Sequence, residues 1–261
     1  MDSNTIESVT EKLIRASENM EKVFSSGYEK GTRDGSFAEW NSFWDIFQAN
    51  GERRNYNAAF KGGFFNRDNF KPKYDIIVGG DYGTGIGIFW GLNKGKEPLD
   101  LAEHCDNLGI RIDFSTCEHT YEAFREARVS RIGELDLSSA TWMDYMFYNA
   151  TALKTIDKII SSETTNWVSN MFLETGRALT HCIFEGVIAK NFNIVDTSLD
   201  KESLVSVINT LSPSTSGLSC TLRKASIDKA FETSTGSLDG STSDEWSALV
   251  ATKSNWTIAL Q

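Results

Sequence analysis

The sequence predicts an α/β fold: a short, irregular solenoid with one strand per coil, helical caps at both ends and a coiled-coil-like helix in front. The first observation behind this is a repeated phrase. Ile112-Asp113-Phe114-Ser115 leads to Phe124 and Ala127, Leu135-Asp136-Leu137-Ser138 leads to Phe147 and Ala150, and Ile160-Ser161-Ser162 leads more loosely to Phe172 and Thr175. The phenylalanines are 147 − 124 = 23 and 172 − 147 = 25 positions apart, a period at which stacked coils bury a shared apolar column. The second is a run of small and apolar residues at alternating steps of three and four near the amino terminus. The third is composition: 40% hydrophobic residues over 261 positions supply a substantial core.

The amino-terminal run comprises Ile6, Val9, Leu13, Ala16, Met20 and Val23. A helix lying on its own domain drifts off a 3.5-residue repeat, whereas a coiled coil keeps to it, so these six residues are expected to join chains into a homo-oligomer, a trimer included. Gly27, Gly31 and Gly35 then form a hinge, which sets the stalk at residues 1–35. Ser36 and Glu39 make a capping box before Phe37, Trp40, Phe43, Trp44 and Phe47 at helical spacing. So many rings on one face need burial, and residues 36–73 are expected as the amino-terminal helical cap.

The solenoid is expected over 74–184. Its first coil runs from the strand-like Tyr74-Asp75-Ile76-Ile77-Val78 into Gly79, Gly80, Gly83, Gly85 and Gly87. A strand entering glycines resembles a nucleotide loop, but Ile88-Phe89-Trp90-Gly91 stands where the helix should open and no Gly-Lys-Ser/Thr follows. An irregular first coil with Phe89 in the place of the later phenylalanines fits better. A short helix then carries Leu99, Ala102, Cys105 and Leu108 and ends at Gly109. In the regular coils, Ile112 and Phe114, or Leu135 and Leu137, point inward while Asp113 and Asp136 point out. Val129 with Ile132, and Leu153 with Ile156, close the coils, and Ser162 takes the place of Phe114 and Leu137 in the third. Residues 185–261 read as a carboxyl-terminal α/β cap: a helix with Leu204, Ile208 and Leu211 between Asp200 and Pro213, a strand Leu218–Leu222, a helix from Thr242 and Glu245, and a strand Trp256–Leu260.

Taken together the coils resemble the BspA-like leucine-rich repeats of bacterial and prophage surface proteins. The stalk, Phe43-Trp44-Asp45-Ile46-Phe47, Phe70-Lys71-Pro72-Lys73-Tyr74-Asp75-Ile76 and the tail from Glu245 to Ile258 are similar to proteins encoded in phages and prophages of gut Firmicutes. The resemblance implies a non-enzymatic binding and structural role. The expected protein is a phage tail or baseplate component that displays the repeats for host-surface receptor recognition, with other virion proteins and a cell-surface protein or glycan as partners. The alternative is a bacterial cell-surface or secreted interaction protein.

Physical bounds narrow the classes. Lys and Arg total 26 against 36 Asp and Glu, a net charge of −10, which disfavours nucleic acid. The acidic start Met1-Asp2-Ser3-Asn4 lacks a basic signal region, and no apolar run reaches the roughly 20 residues of a membrane span, so virion assembly in the cytoplasm without membrane insertion is expected. Cys105, Cys117, Cys182 and Cys220 form no CxxC pair; they are expected as reduced core residues, with disulfides formed after export as the alternative. His104, His119 and His181 match no metalloprotease or nucleophile motif, so no catalytic residue, metal or cofactor is assigned. Arg111, Asp113, Ser115, Glu134, Asp136 and Ser138, outward on the strands by alternation, are the expected recognition surface, with the loops as an equal rival. Asp113 and Asp136 should sit about 4.8 Å apart on adjacent strands, their repulsion offset by a cation or by Arg111.

Overall fold

A computed structural model describes residues 58–62, 74–78, 84–108, 110–165, 167–231 and 244–261. The expected stalk, with Ile6, Val9, Leu13, Ala16, Met20 and Val23, lies outside the described residues, as does the aromatic run Phe37–Phe47. The described part of the segment expected as a helical cap is a strand. That strand is β1 (Ala58–Gly62), antiparallel to β2 (Tyr74–Val78), which in turn runs parallel to β4 (Ile110–Asp113).

A second sheet, parallel throughout, has the order β3 (Leu99–Asp100), β5 (Val129–Asp136), β6 (Thr155–Ser161), β7 (His181–Gly186). A third, also parallel, has β9 (Leu218–Leu222) between β8 (Phe192–Asn193) and β10 (Trp256–Leu260). Four helices complete the described residues: α1 (Leu101–Leu108), α2 (Lys201–Thr210), α3 (Lys224–Ala230) and α4 (Asp244–Ala251).

The repeated phrase has a direct physical expression. Phe89, Phe124, Phe147 and Phe172 stack ring on ring at 4.8, 5.6 and 5.3 Å between centroids, each at most 1% exposed. Phe192 and Phe184 continue the cluster edge-on, at 6.4 and 6.2 Å from Phe172, so the aromatic core runs past position 184 into the segment expected as the cap. Facing the column, β5 buries Val129, Ile132 and Leu135, with Leu137 just beyond its end, and β6 buries Ile156 and Ile159. Val129 and Ile132 therefore begin a strand and do not close a coil.

The register also differs from expectation by one residue in the third repeat. Leu135 pairs with Ile159 and Asp136 with Ile160, which puts Ser161, not Ser162, level with Leu137. A slip of one residue exchanges the two faces of a strand. Ser161 is buried, and its hydroxyl donates to the carbonyls of Glu185 and Val187 at 3.2 Å. A polar residue is tolerated in the wall because both bonds replace those it would make with water.

The wall opposite the strands is a ladder of tight turns. Thr120, Glu122, Phe124 and Glu126 donate their N–H groups to the carbonyls of Trp142, Asp144, Met146 and Tyr148 at 2.8, 3.4, 2.7 and 2.8 Å. Other N–H groups close four-residue turns: Ala123 to Thr120, Arg125 to Glu122, Ala127 to Phe124. Seven of the eight N–H groups from Thr120 to Ala127 thus have a backbone partner, which suits a buried irregular wall. The geometry demands a left-handed residue at alternate ladder positions: Gly87 and Gly91 in the first repeat, Glu122 and Glu126 in the second, Tyr145 and Asn149 in the third. Gly87 and Gly91 thus serve the turn ladder, where only they escape a side-chain penalty of about 1–2 kcal/mol.

The carboxyl-terminal elements meet expectation closely. Asp200 caps α2 by accepting the Ser203 N–H at 2.9 Å, and β9 and β10 span the expected residues. The expected Thr242 cap of α4 lies outside the described residues. β7 would be an open edge, but Ser203 and Ser206 on α2 accept the N–H groups of Cys182 and Phe184 at 2.9 and 3.0 Å. A helix laid along an edge strand removes its capacity to pair with another chain.

Candidate binding surface

The strand face is held together by its own charges. Arg131 on β5 grips Asp157 on β6 through two bonds of 2.8 and 2.7 Å, and Lys158 reaches Glu134 at 3.5 Å and Glu185 at 3.1 Å across β5, β6 and β7. At the far end His181 Nδ1 lies 2.8 Å from Asp200. Asp200 is held below the usual carboxylate range: burial opposes its charge, but the bonds from His181 and Ser203 outweigh it.

The residues expected as a recognition surface fall on this face and have local tasks. Asp113 and Asp136 are not ladder neighbours, because β4 and β5 belong to different sheets. Each carboxylate instead accepts an N–H two residues on, Asp113 from Ser115 at 2.9 Å and Asp136 from Ser138 at 3.0 Å, an Asx-type turn that ends the strand. Arg111 lies 3.3 Å from Asp113, and Glu134 is tied to Lys158. The Ser115 carbonyl accepts the Ser139 hydroxyl at 2.5 Å and that of Ser138 accepts Ser162 at 2.6 Å. The four strand-end residues act in turns and inter-repeat bonds.

The turn wall carries a different surface. The position five before each phenylalanine holds Thr84, His119, Trp142 and Trp167, and parallel bridges run through all four. The position just after each phenylalanine holds Trp90, Arg125, Tyr148 and Leu173. Trp142 and Trp167 lie 5.7 Å apart, Tyr121 is 4.8 Å from Trp142 and 5.7 Å from Tyr145, and Tyr145 is 5.7 Å from Tyr148. The Arg125 guanidinium sits between the Trp90 and Tyr148 rings at 4.6 and 4.8 Å. The rings form one connected strip across the repeats.

Charge threads this strip with carboxylates in excess, Glu122, Glu126, Asp144 and Glu174 against Arg125 and Lys94. Arg125 bonds to Glu122 and approaches Glu126 at 3.5 Å; Lys94 meets Glu126 at 2.9 Å. Burial would lower the Arg125 pKa, yet Glu122 and Glu126 raise it above its ordinary value, while the bond from Lys94 leads in holding Glu126 low. Burial, seconded by Glu122, pushes the Tyr121 hydroxyl up; a bond to Glu174 does the same for Tyr148. Asp144, buried and with the Asn170 N–H at 3.2 Å, is raised by desolvation.

This strip was legible in principle, since 142 − 119 = 23 and 167 − 142 = 25 repeat the spacing of the phenylalanines. Attention to the strand alternation passes over it. The four cysteines are buried free thiols, and burial pushes Cys105 and Cys220 up to about 12, Cys117 to about 11 and Cys182 well above its ordinary value. Among the described residues no group of three or more His, Cys, Asp or Glu could hold a metal, and no helix is long and apolar enough to cross a membrane. No family model, no curated protein and no solved structure matches the chain.

Proposed function

We propose that the repeats form a short leucine-rich-repeat solenoid and that the protein is a non-enzymatic phage tail or baseplate component displaying it for host-surface receptor recognition. The observation that supports a display role is the aromatic strip on the turn wall, fixed over a stacked phenylalanine core by inter-repeat backbone bonds. Rigid rings at the surface give contact area with little entropy left to lose on binding. The virion assignment rests on the resemblance of the repeats and tail to phage-encoded proteins and on the heptad run Ile6–Val23, which would join chains and multiply weak contacts.

Two measurements test this. Light scattering of the full chain should give an oligomer, and antibodies should label the tails of purified virions. A monomer of the intact chain, or detection only in a phage-free cell-wall fraction, would move the protein to the bacterial surface.

A further inference from the structure

We propose that the turn wall is a saccharide-binding face, on which Tyr121, Tyr145, Trp142 and Trp167 stack the rings of an uncharged polysaccharide laid along the repeats. This deepens the display reading and rests on it for its biological setting, though the binding itself can be measured alone.

Exposure provides the first step. Among the described residues only two large hydrophobic side chains are exposed, Ile86 at 47% and Trp167 at 55%, and both belong to this wall. An indole left in water forgoes a large burial gain, so its place at the end of a ring column has a different cause.

The second step is the character of the strip. Its methionines, Met143, Met146 and Met171, are turned inward and buried, so apart from Ile86 at one end the outward apolar area is mainly aromatic, and every Trp and Tyr keeps a polar atom. Glu122, Arg125 and Glu126 run through the middle as a charged network. The centre of a protein interface is depleted in charge, because desolvating it is costly. A saccharide presents C–H faces to rings and hydroxyl groups to neighbouring carboxylates and guanidinium, so it can use both kinds of residue at once.

Charge then selects among saccharides. Arg125 is engaged by Glu122 and Glu126, and Lys94 by Glu126, within a chain of net charge −10. With these two cations already engaged and carboxylates in excess, an anionic polymer would meet a repulsive field. The pitch also fits: strand ladders advance about 4.8 Å per repeat, close to the length one pyranose adds to a linear chain. Because the rings touch one another and Arg125, they are already ordered before the ligand arrives.

The full-length protein should be applied to an array of neutral and acidic oligosaccharides, and the strongest neutral binder titrated by tryptophan fluorescence. Neutral linear chains should bind and acidic ones should not. Trp167→Ala should weaken binding about tenfold, as loss of an exposed stacking ring does, with an unchanged melting temperature. Trp167→Phe should retain most of the affinity. The proposal is overturned if no neutral saccharide binds, or if Trp167→Ala and Trp142→Ala bind as the parent does. Adhesion to host cells that survives periodate oxidation of their glycans but not protease treatment would overturn it in favour of a protein receptor, leaving the display reading intact. Absence of adhesion to any host cell, with saccharide binding and its Trp167 dependence retained, would sink the display reading alone.

Discussion

Replacing Phe147 by alanine tests the physical basis of the whole core. Phe147 is the middle ring of the column, 0% exposed, with Phe124 at 5.6 Å and 16° on one side and Phe172 at 5.3 Å and 12° on the other. Truncating a fully buried phenylalanine costs about 3–5 kcal/mol in transfer and cavity terms. The site is at the high end, because two stacked partners lose a face together and the ladder bonds Phe147 N–H to Met171 and Phe124 N–H to Met146 resist collapse into the gap. With about 2–4 °C per kcal/mol for a domain of this size, a 4 kcal/mol loss lowers the melting temperature by about 8–16 °C. Phe147→Leu, which keeps most of the volume, should cost less than about half as much. Urea unfolding monitored by far-UV circular dichroism measures both, and an unchanged slope shows that the variants lose stability without losing compactness. A cost below about 1 kcal/mol for the alanine variant would mean that the rings do not share a packed column in solution, and the stacking argument would fail with it.

Three further outcomes are expected. Ser203→Ala strands the buried Cys182 N–H that its hydroxyl accepts at 2.9 Å, and should cost about 1–3 kcal/mol in the same unfolding assay; Ser206→Ala should cost less, because its bond from the Phe184 N–H is only partly buried. Gly186 has a φ of 85°, and a Cβ there would stand 1.9 Å from the Ser161 carbonyl oxygen, so Gly186→Ala should cost about 2–5 kcal/mol by strain and overpacking combined. Asp200, whose folded pKa lies below its ordinary 3.8, contributes stability that is complete above 3.8 and is lost as pH falls through the folded value. Asp200→Asn should therefore be less stable at neutral pH and show a shallower loss on acidification; an acid limb identical to that of the parent would remove Asp200 from the account.

The sequence determined what depends on spacing and local chemistry. The 23- and 25-residue steps of Phe124, Phe147 and Phe172 mark residues that stack, because a side chain recurring at the length of one repeat meets its own kind in the next. Asp200 as a helix cap and the limits of β9 and β10 follow from capping preference and β-branched or aromatic runs bounded by turn residues. Tertiary structure decided what depends on neighbours distant in the chain. Ser161 displaced Ser162 from the inner wall because the partner strand sets the register, and a slip of one residue is invisible to a pattern of three similar serine-rich positions. Asp113 and Asp136 fell in different sheets because β3 rather than β4 pairs with β5. The 23- and 25-residue steps of His119, Trp142 and Trp167 are readable in the sequence, but which side chains leave the wall was decided by left-handed turns at Glu122, Glu126, Tyr145 and Asn149, since the direction of a side chain on an irregular ladder follows from backbone angles.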